Sequence, residues 1–142
     1  MSKIGPTKFT KAVVAAGIVL TASGLATGAG AGLKENLPVW IRQAGANSEM
    51  GGSLGSARNA SDGTQYIQCV TAQSSSGWVY GACYAVDANG TSGSCWTNNS
   101  GLVQQMNSMS GDSSVTVYFD ADSGACTYVY LENGSLLAPK AP

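Results

Sequence analysis

Apolar and polar residues alternate along five short runs in the middle and second half of the chain. Alternation with a period of two predicts strands that bury one side. The first three predicted strands are separated only by turns, and the Asn89-Gly90 pair suits the positive φ angles of a tight turn, so these strands predict an antiparallel meander. The predicted strands cover residues 64–73, 78–86, 91–97, 114–121 and 125–132.

One segment between the third and fourth predicted strands has helical periodicity. Asn99 or Ser100 is suited to cap its start and Gly111 its end. A helix of about three turns needs tertiary packing to be stable. The sequence therefore predicts an α+β fold of order β-β-β-α-β-β, a small antiparallel sheet with one helix packed on one face. The apolar residues of the helix are Leu102, Val103, Met106 and Met109.

The same alternation assigns side chains to the two faces of the predicted sheet. The face under the helix would carry Ile67, Val79, Val115, Val117, Phe119, Val129 and Leu131. The opposite face would carry Tyr66, Trp78, Tyr80, Tyr84, Tyr118, Tyr128 and Tyr130. These seven are the candidate ligand-binding residues, because Trp and Tyr rings stack on sugars or pack against another protein. The alternative is a second buried layer, covered by residues 32–63.

The first 31 residues predict a signal peptide. Lys3, Lys8 and Lys11 precede an apolar run over 12–20, and Ala29-Gly30-Ala31 suits a signal peptidase. The alternative is an uncleaved membrane anchor, because residues 12–31 carry no charge. The signal predicts a secreted or periplasmic protein.

Three further segments follow the signal. Residues 32–63 are predicted to form a Gly/Ser-rich arm or linker, whose apolar island at 37–41 either docks as an edge segment or binds a partner. Residues 64–137 form the predicted β-rich domain, and 138–142 form a tail.

Cys69, Cys83, Cys95 and Cys126 predict two structural disulfides, since an even count in a short exported chain suits an oxidising compartment. Their spacing leaves all three connectivities open. It matches no metal motif and the chain has no histidine, so we expect neither a metal nor another cofactor.

Charge excludes two classes of partner. Signal cleavage would leave four basic and eight acidic residues, and no basic residue occurs between positions 59 and 139. Binding to nucleic acid or to an anionic membrane requires such residues, so neither is expected.

Three motifs suggest catalysis or ion binding, and each has a simpler interpretation. The G-x-S-x-G sequence at 51–55 has no histidine base and lies in the predicted linker. Asp120 and Asp122 flank a predicted turn, where aspartates bond the backbone. The segments 87–90 and 120–124 lack the bidentate glutamate of a calcium loop. We therefore expect no enzymatic activity.

Four segments that contain the cysteines with aromatic neighbours, together with residues 51–59, form a pattern with five parts. These are Gln65-Tyr66-Ile67-x-Cys69, Cys83-Tyr84-Ala85, Cys95-Trp96-Thr97, Cys126-x-Tyr128-Val129-Tyr130 and residues 51–59. The pattern resembles that of a group of small exported bacterial proteins, over residues 51 to about 139. The resemblance implies that residues 32–63 and the following domain form one unit. It implies no activity and no catalytic residues.

The sequence thus favours a secreted, non-catalytic binding module that recognises polysaccharide or a cell-surface protein through its aromatic face. The alternative is a self-associating envelope or matrix protein, because low charge and Asn/Gln-containing β-prone runs favour pairing between strand edges.

Overall fold

The computed structural model describes residues 34–139, which form one seven-stranded sheet, two α-helices and a short 3₁₀ helix (Gly45–Asn47). The predicted signal peptide lies outside these residues. The strands are β1 (Trp40–Arg42), β2 (Ser48–Ser53), β3 (Tyr66–Gln73), β4 (Val79–Val86), β5 (Ser92–Thr97), β6 (Ser113–Asp120) and β7 (Ala125–Asn133), and the helices are α1 (Leu54–Asn59) and α2 (Ser100–Asn107).

The strands are arranged in the order β1-β2-β6-β7-β5-β4-β3. All neighbours are antiparallel except β5 and β7, which are parallel, so the sheet is mixed and not purely antiparallel. The predicted meander is present as β3-β4-β5. The two predicted disulfides join Cys69 to Cys83 and Cys95 to Cys126.

The predicted order β-β-β-α-β-β is incomplete, because β1, β2 and α1 precede the five predicted strands. All six residues of β2 are buried, although the strand has little apolar character. Its small residues are required by packing: a Cβ on Gly51 would lie 2.7 Å from Trp40 Cζ2, and one on Gly52 would lie 3.0 Å from Val39 Cα. Buried Ser48 donates to the Gly45 carbonyl. The sequence of β2 resembles a linker because close packing around Gly51 and Gly52 excludes larger side chains.

The sheet is strongly curved, so that β1 and β2 at one end approach β4 and β3 at the other. A Cβ on Gly93 of β5 would lie 3.3 Å from Met50 Sδ in β2 and 3.5 Å from Ile41 Cγ2 in β1. The concave side therefore encloses the core. Its most buried apolar residues are Met50, Cys83, Ala85, Val115, Val117, Phe119 and Val129.

Helix α2 packs on this concave side, where it links β5 to β6 and contacts β3, β4 and β7. The Asn99 side chain caps it by accepting hydrogen bonds from the N–H groups of Gly101 and Leu102. Val103 and Met106 are buried beneath it. The helix ends at Asn107, four residues before the predicted glycine stop.

The sheet is weakest at the seam between β5 and β7. The only residue pair there is Trp96 with Ala125, beside a 2.9 Å hydrogen bond from the Trp96 N–H to the Gly124 carbonyl. The Cys95–Cys126 disulfide crosses this seam, with 5.1 Å between the Cα atoms. The Cys69–Cys83 disulfide instead joins directly paired residues of β3 and β4, within a ladder of eight residue pairs.

We expect removal of the Cys95–Cys126 bridge to destabilise the fold more than removal of Cys69–Cys83. Chain entropy gives about 3.7 kcal/mol for a separation of 31 residues and about 3.0 kcal/mol for one of 14. The seam also has fewer backbone hydrogen bonds to hold its two strands together once the disulfide is removed. Urea unfolding of the two double Cys→Ala variants measures the difference, and an equal or reversed order of midpoints would contradict it.

A second prediction concerns the contact between α2 and the sheet. A Cβ on Gly81 would lie 2.6 Å from Met106 Sδ and 3.1 Å from Val103 Cγ2. Gly81→Ala should therefore cost about 1 to 3 kcal/mol of unfolding free energy. Gly111→Ala is the matched control, because its Cβ would contact only Arg58 Nη1 at 3.9 Å. Equal stability of the two variants would show that α2 shifts freely.

Candidate functional site: the outer face of the sheet

The convex side of the sheet, opposite α2, is called the outer face. In β4, Gly81 lies under α2, so Tyr80 and Tyr84 point outward. The same alternation, counted from buried residues of β3, β6 and β7, turns Tyr66, Tyr118, Tyr128 and Tyr130 outward. Trp78 stacks on Tyr80 with 5.9 Å between ring centroids. The structure thus brings all seven candidate residues to one face.

Most of these rings are open to solvent. Five of the seven are between 41 and 55% exposed, while Tyr80 and Tyr84 are half-buried. The alternative of a second buried layer placed residues 32–63 over this face. The described part of that segment forms β1, β2 and α1 instead and leaves the rings uncovered.

The outer face also contains three large apolar residues that sequence reasoning did not assign to it. They are Trp40 at the β1 edge, Val70 in β3 and Trp96 in β5, all exposed. Trp96 follows buried Cys95, so strand alternation alone would have turned it outward. Trp40 belongs to the apolar island at 37–41, and only the pairing of β1 with β2 places it on this face.

The rings form two clusters on either side of the seam. In the first, Tyr80, Tyr84 and Trp96 line a small cleft of about 130 Å³, to which Ala82 and Ser94 also contribute. Ala82 is opposite Trp96 in the ladder and separates the two tyrosines in sequence, so its short side chain keeps the cleft open.

In the second cluster, Tyr118 and Tyr128 pack edge to face with 5.8 Å between ring centroids. Tyr130 follows on the same face of β7 and is opposite Thr116 in β6. This cluster extends toward Trp40, since Thr116 is also paired with Gly51, and Gly51 with Trp40.

Electrostatically, the outer face is neutral to weakly acidic. Tyr80 hydrogen-bonds to the Tyr84 hydroxyl, which raises the pKa of Tyr80 above its ordinary value, since only the protonated phenol donates. The guanidinium of Arg42 is at the far edge, 2.7 Å from Glu49. The face offers stacking surfaces and hydroxyls without a cation for an anionic ligand.

The two acidic turns serve the backbone. The Asp120 carboxylate accepts from the N–H groups of Asp122 and Ser123 and from the Ser123 hydroxyl. The Asp87 carboxylate accepts from the N–H groups of Asn89 and Thr91. Among residues 34–139, no group of three or more His, Cys, Asp or Glu side chains is arranged to hold a metal ion.

The G-x-S-x-G motif does follow a strand, contrary to the linker interpretation, because Ser53 ends β2 and caps α1. Its hydroxyl is fully buried, accepts from the Ser56 N–H and lies 2.6 Å from Ser56 Oγ. A nucleophile must instead be accessible and next to a base. The geometry supports a helix-capping role for Ser53.

A cleft of about 400 Å³ lies beside α1 and is lined mainly by polar residues. Its only carboxylate, Asp62, accepts from the N–H groups of Thr64 and Gln65 and from the Gln65 side chain. These hydrogen bonds, chiefly those from Gln65, lower the pKa of Asp62. A carboxylate held in this way is a poor general base, so the cleft offers less chemistry than the outer face.

No protein-family model, curated protein or solved structure matches this chain. Within the described part of the chain, no helix is long and apolar enough to cross a membrane.

The turn between β6 and β7 yields a prediction about pH. Hydrogen bonds, first that from Ser123, lower the pKa of Asp120 below 3.8. Because the folded-state pKa is depressed, the stabilisation is present above the unfolded-state pKa and is lost as pH falls through the folded-state pKa. NMR titration should find the pKa of Asp120 below the ordinary value of 3.8. Ser123→Ala should raise its pKa toward the ordinary value, whereas Ser76→Ala in another turn should leave it unchanged.

Proposed function

We propose that this protein is a secreted, non-catalytic binding module that recognises carbohydrate through the outer face. The observation that carries the proposal is the exposure of aromatic rings, from Tyr66 to Tyr130, across a single sheet face that no other described segment covers. Exposed aromatic residues grouped on one face of a soluble protein usually mark an interaction site.

The chemistry of the face fits an uncharged polysaccharide. Sugar rings present apolar C–H faces that pack on Trp and Tyr, and hydroxyls that pair with phenol, hydroxyl and amide groups. The cleft by Trp96 supplies both kinds of contact, because Ser94 and Tyr84 line it together with the indole. Of the described residues, the basic side chain placed on this face is Arg42, which is already paired with Glu49, so the face favours a neutral polymer over an anionic one.

The support beneath the rings is rigid. Each ring projects from a paired strand or, for Trp78, from the residue next to one, and two disulfides hold the strands together. A ligand that binds a preformed platform does not pay for ordering loops, so modest stacking contacts translate into affinity.

The proposed location is outside the cytoplasm. Two disulfides in a small domain are consistent with an extracellular site, where thiols are oxidised. An insoluble cell-wall or extracellular polysaccharide is therefore the first ligand class to test.

Sedimentation with a panel of insoluble polysaccharides tests the proposal. We expect one glycan to deplete the oxidised protein, and Trp78→Ala and Trp96→Ala to weaken binding by roughly 30-fold each, as for a central aromatic contact. Gln104→Ala on α2, on the opposite side of the sheet, is the control and should bind normally.

Each other outcome has a defined meaning. If no glycan depletes the protein, or if both Trp variants bind as well as Gln104→Ala does, the proposal is wrong. Depletion without any glycan would favour the alternative of a self-associating envelope or matrix protein.

A further inference from the structure

Along the outer edge of β3, backbone groups have no strand partner among residues 34–139. The direction of these groups follows from the neighbouring ladder. Because the Trp96 N–H points to β7, the backbone groups of the preceding residue, Cys95, point to β4 and form hydrogen bonds with Cys83. The backbone N–H and C=O of Cys83 therefore point away from β3. The 4.0 Å between the Cα atoms of Cys69 and Cys83 fits such a non-hydrogen-bonded pair. The N–H and C=O groups of Cys69, Thr71 and Gln73 therefore point outward from the sheet.

Only part of this edge is covered. Helix α1 lies beside the start of β3, where Ala57 and Leu54 line a cleft with Tyr66 and Gln68. From Cys69 onward, no backbone hydrogen bond to another described segment occupies the edge. The strand contains no charged residue and no proline, the usual devices that prevent edges from pairing.

The opposite edge of the sheet is protected. Strand β1 has only three residues, follows Pro38 and ends in Arg42, which is paired with Glu49. The chain thus blocks one edge and leaves five residues of the other open. An open edge of this kind is a site for adding a strand.

We propose that β3 pairs with β3 of a second copy of this chain, antiparallel and about a two-fold axis at Thr71. In this register Thr71 is opposite its own counterpart, and Cys69 is opposite Gln73 of the second copy. All three residues with outward-pointing groups are then used, which gives about six backbone hydrogen bonds.

The side chains fit this register. Val70, one of the exposed apolar residues of the outer face, is opposite Ala72 of the second copy, so the pairing buries it against a small apolar residue. No like charges meet, since β3 has none. The two outer faces become continuous across the new interface, which would give a bound polymer a longer binding surface.

The proposed pairing also limits the assembly to two copies. An isologous two-fold contact uses the same edge on both copies and leaves only the protected β1 edges free, so it makes a dimer and not a filament. A head-to-tail contact between β3 and β1 would need a longer β1.

Sedimentation velocity over a concentration series tests the proposal with the oxidised protein. We expect a monomer–dimer equilibrium. Val70→Lys should raise the dimer dissociation constant roughly tenfold or more, because two ammonium groups then lie near the two-fold axis. Thr71→Pro should do the same by removing an outward N–H, a change that edge strands tolerate. Gln104→Lys on α2 adds the same charge elsewhere and should dimerise normally.

The register is tested separately by cross-linking. Thr71→Cys should give a covalent dimer on a non-reducing gel, because the two Cα atoms would be about 5.5 Å apart. Val70→Cys, one residue out of register, should give much less. A monomer at every concentration, or a dimer unaffected by both Val70→Lys and Thr71→Pro, would overturn the proposal. Preferential cross-linking of Val70→Cys would overturn the register.

Discussion

Between β5 and β7 one parallel residue pair holds the two parts of the sheet together, and the rest of the fold depends on this contact. The Trp96 N–H bonds to Gly124, and the Cys95–Cys126 disulfide closes the same seam. A β-bulge in the neighbouring ladder leaves Thr127 unpaired and adds curvature. Where the ladder is interrupted the sheet bends, and the bend brings β1 and β2 toward β4 and β3. Without this closure the concave face would have only the short helix α2 to cover it.

This curvature decides which residues form a core and which form a surface. The concave side buries residues such as Met50 and Val117 completely, while the convex side receives no covering element among the described residues. Tyr128 and Trp96 are exposed there although burying them would favour folding. Their position serves no evident folding purpose, which is why the convex side is the best candidate for recognition.

Small residues set how closely the elements approach one another. Gly81 admits α2, Gly93 admits Met50 from the opposite end of the sheet, and Gly51 admits the Trp40 ring. A side chain at Gly81 or Gly93 would push two layers apart, and one at Gly51 would displace the Trp40 ring. The many glycines of the chain therefore include close-packed sites of a tight core, and not only flexible connections.

The sequence by itself determined the local elements: five strands close to their observed bounds, the Asn99 cap of α2, and the two-sided assignment that put Tyr80 and Tyr84 on the outer face. These follow from period-two alternation and capping, which act over a few residues. Only the tertiary structure decided that β2 is a buried strand, that β5 adjoins β7, and that Cys95 pairs with Cys126. Those features depend on contacts between residues far apart in the chain, where small side chains fit because of what surrounds them, and no local pattern encodes such surroundings.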